Sequence, residues 1–150
     1  MDNKTLIKWL NWFYTLEMSQ VDLYLNQAKK SSDYYIGNVL LRIAEIEAGH
    51  AKIFNNFLVK LGSKPAKIDS LISRITGNIP GHITPLFGTL NFFLYNYTLE
   101  TIAIKDYKLL LRSLDKKTEL QHELANILVD NLIDEDLHRL WFKEQRDSLI

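Results

Sequence analysis

The sequence predicts an all-α protein, four long amphipathic helices in one bundle with a long crossover between the second and the third. Two observations carry this. Apolar residues recur every three or four positions through most of the 150-residue chain, the period of a helix that buries one face. All three prolines fall between positions 65 and 85, so chain breakers gather in the middle and leave long uninterrupted stretches on either side.

The first helix is expected from about Lys4 to Lys29, and Ser31-Ser32-Asp33 then supplies a turn and an N-cap. The second runs from Tyr34 to Leu61, with Gly62 suited to the residue just past its end. Thr84-Pro85 offers the third an N-cap followed by proline in the first turn, and that helix should continue to Ser113. After a short connection at Asp115-Lys116-Lys117, the fourth covers Thr118 to Arg146. The link from Ser63 to Ile83 contains a short amphipathic piece, Ile68 to Ile75. It is long enough to travel the length of a bundle and set the third helix parallel to the second. That is the one-crossover arrangement of ferritin-like folds, and residues 1–150 read as a single domain of that kind.

Composition narrows the chemistry. Lys+Arg and Asp+Glu balance at 18 each, so the basic footprint of a nucleic-acid binder is missing and no nucleic-acid partner is expected. With no cysteine, disulfides, iron–sulfur clusters, thiolate zinc sites and thiol nucleophiles are excluded. The chain opens Met1-Asp2-Asn3-Lys4 without a signal-peptide pattern, and its longest apolar runs are interrupted by Lys, Asn, Gly or Pro. A cytoplasmic location is the expectation.

Polar residues inside the apolar stripes carry the functional signal. The first helix reads Leu6, Leu10, Phe13, Glu17, Gln20, Tyr24 along one face. The second reads Ile36, Leu40, Ile43, Glu47, His50, Phe54, Phe57, Leu61. The third reads Phe93, Tyr97, Glu100, Ile104, Tyr107, Leu111, and the fourth Leu124, Leu128, Asn131, Glu135, His138, Phe142. Burying a glutamate costs several kcal/mol unless it is neutralised or paired, and these stripes hold no lysine or arginine. An i,i+3 Glu-x-x-His pair projects a carboxylate and an imidazole from one face of a helix. Two such pairs, Glu47 with His50 and Glu135 with His138, join single glutamates, Glu17 and Glu100, on the other two helices. This is the ligand set of di-iron carboxylate bundles. Two iron ions are the expected cofactor, and zinc or manganese also suits oxygen and nitrogen donors.

Other polar residues read more plainly. His82 in the link and His122 near the start of the fourth helix are ordinary polar residues. Glu45, Asp134 and Asp136 flank the ligands on other faces, in solvated or supporting roles. Tyr24 and Tyr107 each stand two turns past a single glutamate on the same face. Each is either a core residue or a phenol that hydrogen-bonds a ligand or takes part in redox catalysis. Gln20, one turn after Glu17, is a candidate partner of the same kind.

Several local patterns resemble the demethoxyubiquinone hydroxylase family of the ferritin-like superfamily. Ala44-Glu45-Ile46-Glu47-Ala48-Gly49-His50 with Phe54 is similar to that family's A-E-x-E-x-x-H-x-x-x-F. Asp134-Glu135-Asp136-Leu137-His138 is similar to its D-E-x-x-H, and Tyr107 stands seven residues after Glu100 as it does there. The link resembles the family's in carrying Pro65 and then Gly77, Gly81 and Gly88. The first helix departs: where the family has D-x-x-G-E, this chain has Phe13-Tyr14-Thr15-Leu16-Glu17. Rubrerythrin-like proteins are the next resemblance, without the four-cysteine iron site that a full rubrerythrin carries.

The resemblance implies a monooxygenase-like di-iron oxidoreductase that activates O2, most like a hydroxylase of a quinone-like or other apolar small molecule and served by an electron donor. Glu47 and Glu135 would bridge or cap the irons, His50 and His138 would each bind one, and Glu17 and Glu100 would be terminal ligands. The alternative is a rubrerythrin- or ferritin-like protein that oxidises iron or scavenges peroxide. The apolar residues of the link, Ile68, Leu71, Ile72, Ile75, Ile79, Ile83, Leu86 and Phe87, fit either an entrance resting on a membrane surface or a cap buried in a homodimer interface.

Overall fold

The computed structural model describes residues 1–65 and 88–150. They form four helices with no strand among the described residues: α1 (Asn3–Lys30), α2 (Tyr34–Lys60), α3 (Thr89–Ser113) and α4 (Glu119–Asp147). The chain divides into two compact units, an α1–α2 hairpin and an α3–α4 hairpin.

Asp2 starts the first hairpin. Its carboxylate accepts the Thr5 backbone N–H at 2.9 Å and the Thr5 hydroxyl at 2.8 Å, satisfying a donor that the first turn leaves open. These two bonds, the backbone one first, hold the Asp2 carboxyl below the ordinary aspartate value. Because its folded pKa is depressed, the cap is fully present above the ordinary value of 3.8 and is lost as pH falls through the lower folded value. Hydrogen exchange at the Thr5 amide should therefore accelerate on acidification through that window, relative to amides in the middle of α1, and Asp2→Asn should remove the difference.

A three-residue turn leads to α2, whose N-cap Asp33 accepts the Ile36 N–H at 3.0 Å. The helix ends as its glycine demands. Gly62 takes φ +69°, its N–H reaches the Val59 carbonyl, and the Ser63 N–H reaches the Leu58 carbonyl, both at 2.9 Å. That is the Schellman pattern, which closes the last open carbonyls. Leu6, Leu10 and Phe13 of α1 and Leu40, Ile43, Phe54 and Phe57 of α2 are buried. The Phe13 and Phe54 rings stack at 5.1 Å between centroids and 20° between planes. Phe13→Ala should destabilise the protein by about 3–5 kcal/mol, read as a lower urea midpoint at unchanged slope. Ile36 and Leu61, expected in this stripe, are only half-buried because they sit at the two ends of the helix.

The second hairpin begins later than the sequence suggests. Gly88 is the N-cap of α3, at φ +83° and ψ 152°, so the helix starts at Thr89 rather than in the first turn after Thr84-Pro85. Thr84 and Pro85 themselves lie outside the described residues, as does most of the link with the crossover inferred for it. The end at Ser113 and the fourth helix agree with the sequence reading to within a residue. Between them Asp115 organises the turn: its carboxylate accepts the Lys117 N–H at 3.1 Å, and its own N–H donates to the Gln121 side chain at 2.8 Å.

The buried face of α3 is Phe93, Asn96, Glu100, Ala103, Ile104, Tyr107 and Leu110. Two expected members shift by one position, with Asn96 and Leu110 buried in place of the half-buried Tyr97 and Leu111. The period of 3.6 allows either neighbour at a stripe's edge, and Tyr97 keeps a charged companion there. The Arg146 guanidinium lies 5.1 Å from its ring centroid, a cation–π contact that favours the partly exposed position. Phe93 meets Trp141 edge to face at 5.9 Å. No helix among the described residues is long and apolar enough to cross a membrane.

Candidate metal centre

The first hairpin brings together Glu17, Glu47 and His50. Glu17 stands near the middle of the 28-residue α1, and Glu47 near the middle of the 27-residue α2. Helices joined by a short turn run antiparallel, so two mid-helix residues on facing stripes meet at one level. One ligand atom from each of the three side chains lies within 4.8 Å of the others. Glu17 and Glu47 are fully buried, and His50 is 3% exposed. The i,i+3 spacing on α2 sets Glu47 Oε2 3.0 Å from His50 Nδ1.

The second hairpin repeats this set. Glu100 on α3 and Glu135 with His138 on α4 also offer ligand atoms within 4.8 Å of one another. Both glutamates are fully buried, and His138 is 5% exposed. Each hairpin therefore holds two carboxylates and one imidazole at mid-helix, below solvent.

The donor chemistry fits a metal ion. Ligand atoms at about 2.0–2.2 Å from one ion lie no more than about 4.4 Å apart, close to the 4.8 Å within which the atoms of each triad stand. No lysine or arginine is among the buried residues of the described chain, and a cation held by the triads would compensate the charge of the four carboxylates. Carboxylate and imidazole donors without thiolate suit iron and manganese, and zinc as well.

Of the other candidates, Tyr24 and Tyr107 are fully buried. Gln20 Nε2 stands 3.5 Å from Tyr24 Oη, and Asn131 Nδ2 donates to Tyr107 Oη at 3.2 Å. Seven residues of helix rise separate the backbone of each tyrosine from that of its glutamate by about 10 Å along the axis, and helical side chains lean back toward the N-terminus, here toward the ligand level. Glu45 is exposed and pairs with Arg42, and Asp136 pairs with Arg139 at 2.9 Å. His122 is exposed, while His82, Gly77 and Gly81 lie outside the described residues. The sequence reading singled out neither buried asparagine. Asn96, fully buried one turn before Glu100, was hidden by the aromatic Tyr97 beside it, and Asn131 was placed on its stripe without a role.

Two helical hairpins, each carrying a buried Glu–Glu–His triad with metal-ligating spacing, define an all-α carboxylate–histidine metal protein. Residues 16–146 match the family model described as ubiquinone biosynthesis protein COQ7, and the chain belongs to that family. The family is part of the ferritin-like di-iron superfamily, which makes the fold class a ferritin-like four-helix bundle. The match takes in all six candidate ligands and begins at Leu16, which stands where the family pattern has glycine. Comparison with curated proteins and with solved structures returned no match.

Proposed function

We propose that this protein is a di-iron monooxygenase that hydroxylates a quinone-like or other apolar substrate. The observation that carries the reading is the family match, which spans both triads. Glu17, Glu47 and His50 would hold one iron; Glu100, Glu135 and His138 would hold the other. An iron pair supplies the electrons and open coordination sites through which O2 is activated. In the net reaction one oxygen atom enters a C–H bond of the substrate. The other leaves as water, with two electrons and two protons drawn through an external donor.

The chain's own groups do the rest. The carboxylates and neutral imidazoles fix the ion positions on helices rather than loops. The apolar residues one turn from the ligands in the first hairpin, Phe13, Ile43 and Phe54, keep bulk water from the site, where a reactive oxidant would otherwise be lost. Tyr24 and Tyr107, two turns after Glu17 and Glu100 on the same faces, would donate or accept a hydrogen atom at Oη. The two hairpins belong to one domain and should unfold in a single transition. A cytoplasmic homodimer with peripheral membrane contact completes the reading. Sedimentation and flotation with lipid vesicles test those two features, and a monomer indifferent to vesicles would remove them.

The test of function is a single turnover. Protein reconstituted anaerobically with Fe(II) and exposed to O2 with a quinone analogue should yield a product heavier by one oxygen atom. With ¹⁸O2, that atom should carry the label. Rapid peroxide consumption that is indifferent to the analogue would instead establish the peroxide-scavenging alternative.

A further inference from the structure

The hairpins match in their candidate ligands, and each sets a carboxamide beside its buried tyrosine. Tyr24 has its carboxamide neighbour, Gln20, on its own helix at 3.5 Å, the outer limit of hydrogen bonding. The α2 position one turn before Glu47 is the apolar Ile43. In the second hairpin the corresponding α4 position, one turn before Glu135, is Asn131. It is 3% exposed and its Nδ2 crosses to α3 to donate to Tyr107 Oη at 3.2 Å.

A buried carboxamide costs free energy that leucine or isoleucine at the same position would not, unless its hydrogen bonds are made. Packing alone therefore does not call for asparagine here. The bond also sits where position matters. Antiparallel pairing puts the residue before Glu135 on the same side of the ligand level as the residues after Glu100. We infer that Asn131 is a positioning residue for Tyr107, fixing its phenol across the α3–α4 hairpin beside the Glu100–Glu135–His138 triad. The N–H takes up one acceptor direction of the phenol oxygen and restricts the ring, while the phenol keeps its own proton as a donor. The functional consequence rests on the proposed role of Tyr107 near the metal centre; the positioning itself does not.

The experiment uses the full chain labelled with ¹³C at tyrosine Cζ, metal-free and loaded with Zn(II). Loss of one resonance in Tyr107→Phe assigns that residue. Asn131→Leu should move the Tyr107 resonance and leave that of Tyr24 in place, whereas Gln20→Leu should leave Tyr107 unmoved. Asn131→Asp keeps the shape and exchanges the donor for an acceptor, so it should also move the Tyr107 signal should the leucine variant fold poorly. An unmoved Tyr107 resonance in both Asn131 variants would overturn the inference. In Fe(II)-loaded protein, Asn131→Leu and Tyr107→Phe should each slow product formation about tenfold, the scale of one hydrogen bond, and the double variant no further. Multiplying losses in the double variant would contradict the coupling. A moved resonance with unchanged turnover would keep the positioning role and refute the part given to Tyr107 in the reaction.

Discussion

Replacing Glu47 and His50 together, or Glu135 and His138 together, by leucine should make the metal-free protein more stable, by about 1–4 kcal/mol, while abolishing metal binding at the affected triad. Both glutamates are fully buried, and no lysine or arginine is buried among the described residues. In the absence of metal each carboxylate bears a desolvation cost that a leucine of similar volume avoids. The two effects have opposite signs, and that opposition separates a metal ligand from a structural glutamate. Urea unfolding of metal-free wild type and variants reads the first effect, and metal content after dialysis reads the second. A leucine variant less stable than wild type without metal would mean that hydrogen bonds, rather than an ion, account for the buried carboxylate.

The second large effect is stabilisation by metal. An ion that binds only the folded state adds about 2.7 kcal/mol at a free concentration one hundred times its dissociation constant, and two independent sites add about twice that. For a domain of this size each kcal/mol raises the melting temperature by about 2–4 °C, so saturating Fe(II) or Zn(II) should raise it by about 10–20 °C. Half of that shift should survive in Glu47→Leu or Glu135→Leu if each triad binds its own ion. None should survive in the double variant. Calorimetry across a metal titration checks both points, and an unchanged melting temperature in wild type would remove the metal centre from the protein.

Much of the fold was legible because local and global signals agree. Asp33 was readable as an N-cap and Gly62 as the residue past a helix end, and each makes the expected backbone bonds. The six candidate ligands stood out for a different reason. Glutamate and histidine inside an apolar stripe contradict the pattern around them, and such contradictions mark sites. The cap expected at Thr84-Pro85 falls outside the described residues, and the Gly88 cap of α3 was not legible because its left-handed φ is not revealed by residue type alone. The shift from Tyr97 to Asn96 has a similar origin. A hydrophobic pattern prefers the tyrosine, but the helix places the asparagine inward and the Arg146 contact holds the ring at the edge. The Asn131–Tyr107 bond was illegible because it joins residues 24 positions apart, and nothing in either stripe specifies which polar groups meet across a hairpin.

The family match and the triads leave the substrate as the feature to be established by chemistry. The match starts at Leu16, and on its N-terminal side Phe13 fills the core against Phe54 where the family pattern has an acid. A large ring one turn from Glu17 changes the shape and polarity of that flank without touching a ligand atom. Substrate preference should therefore respond to Phe13 substitutions more than metal affinity does.

The most direct measurement is an anaerobic Fe(II) titration of the metal-free chain, followed by elemental analysis after gel filtration. Two irons per chain, falling to one in Glu17→Ala and to one in Glu100→Ala, is the expected result. Fewer than one iron in wild type, or two irons retained in a chain lacking both Glu47 and Glu135, would contradict the assignment of the triads as an iron pair's ligands.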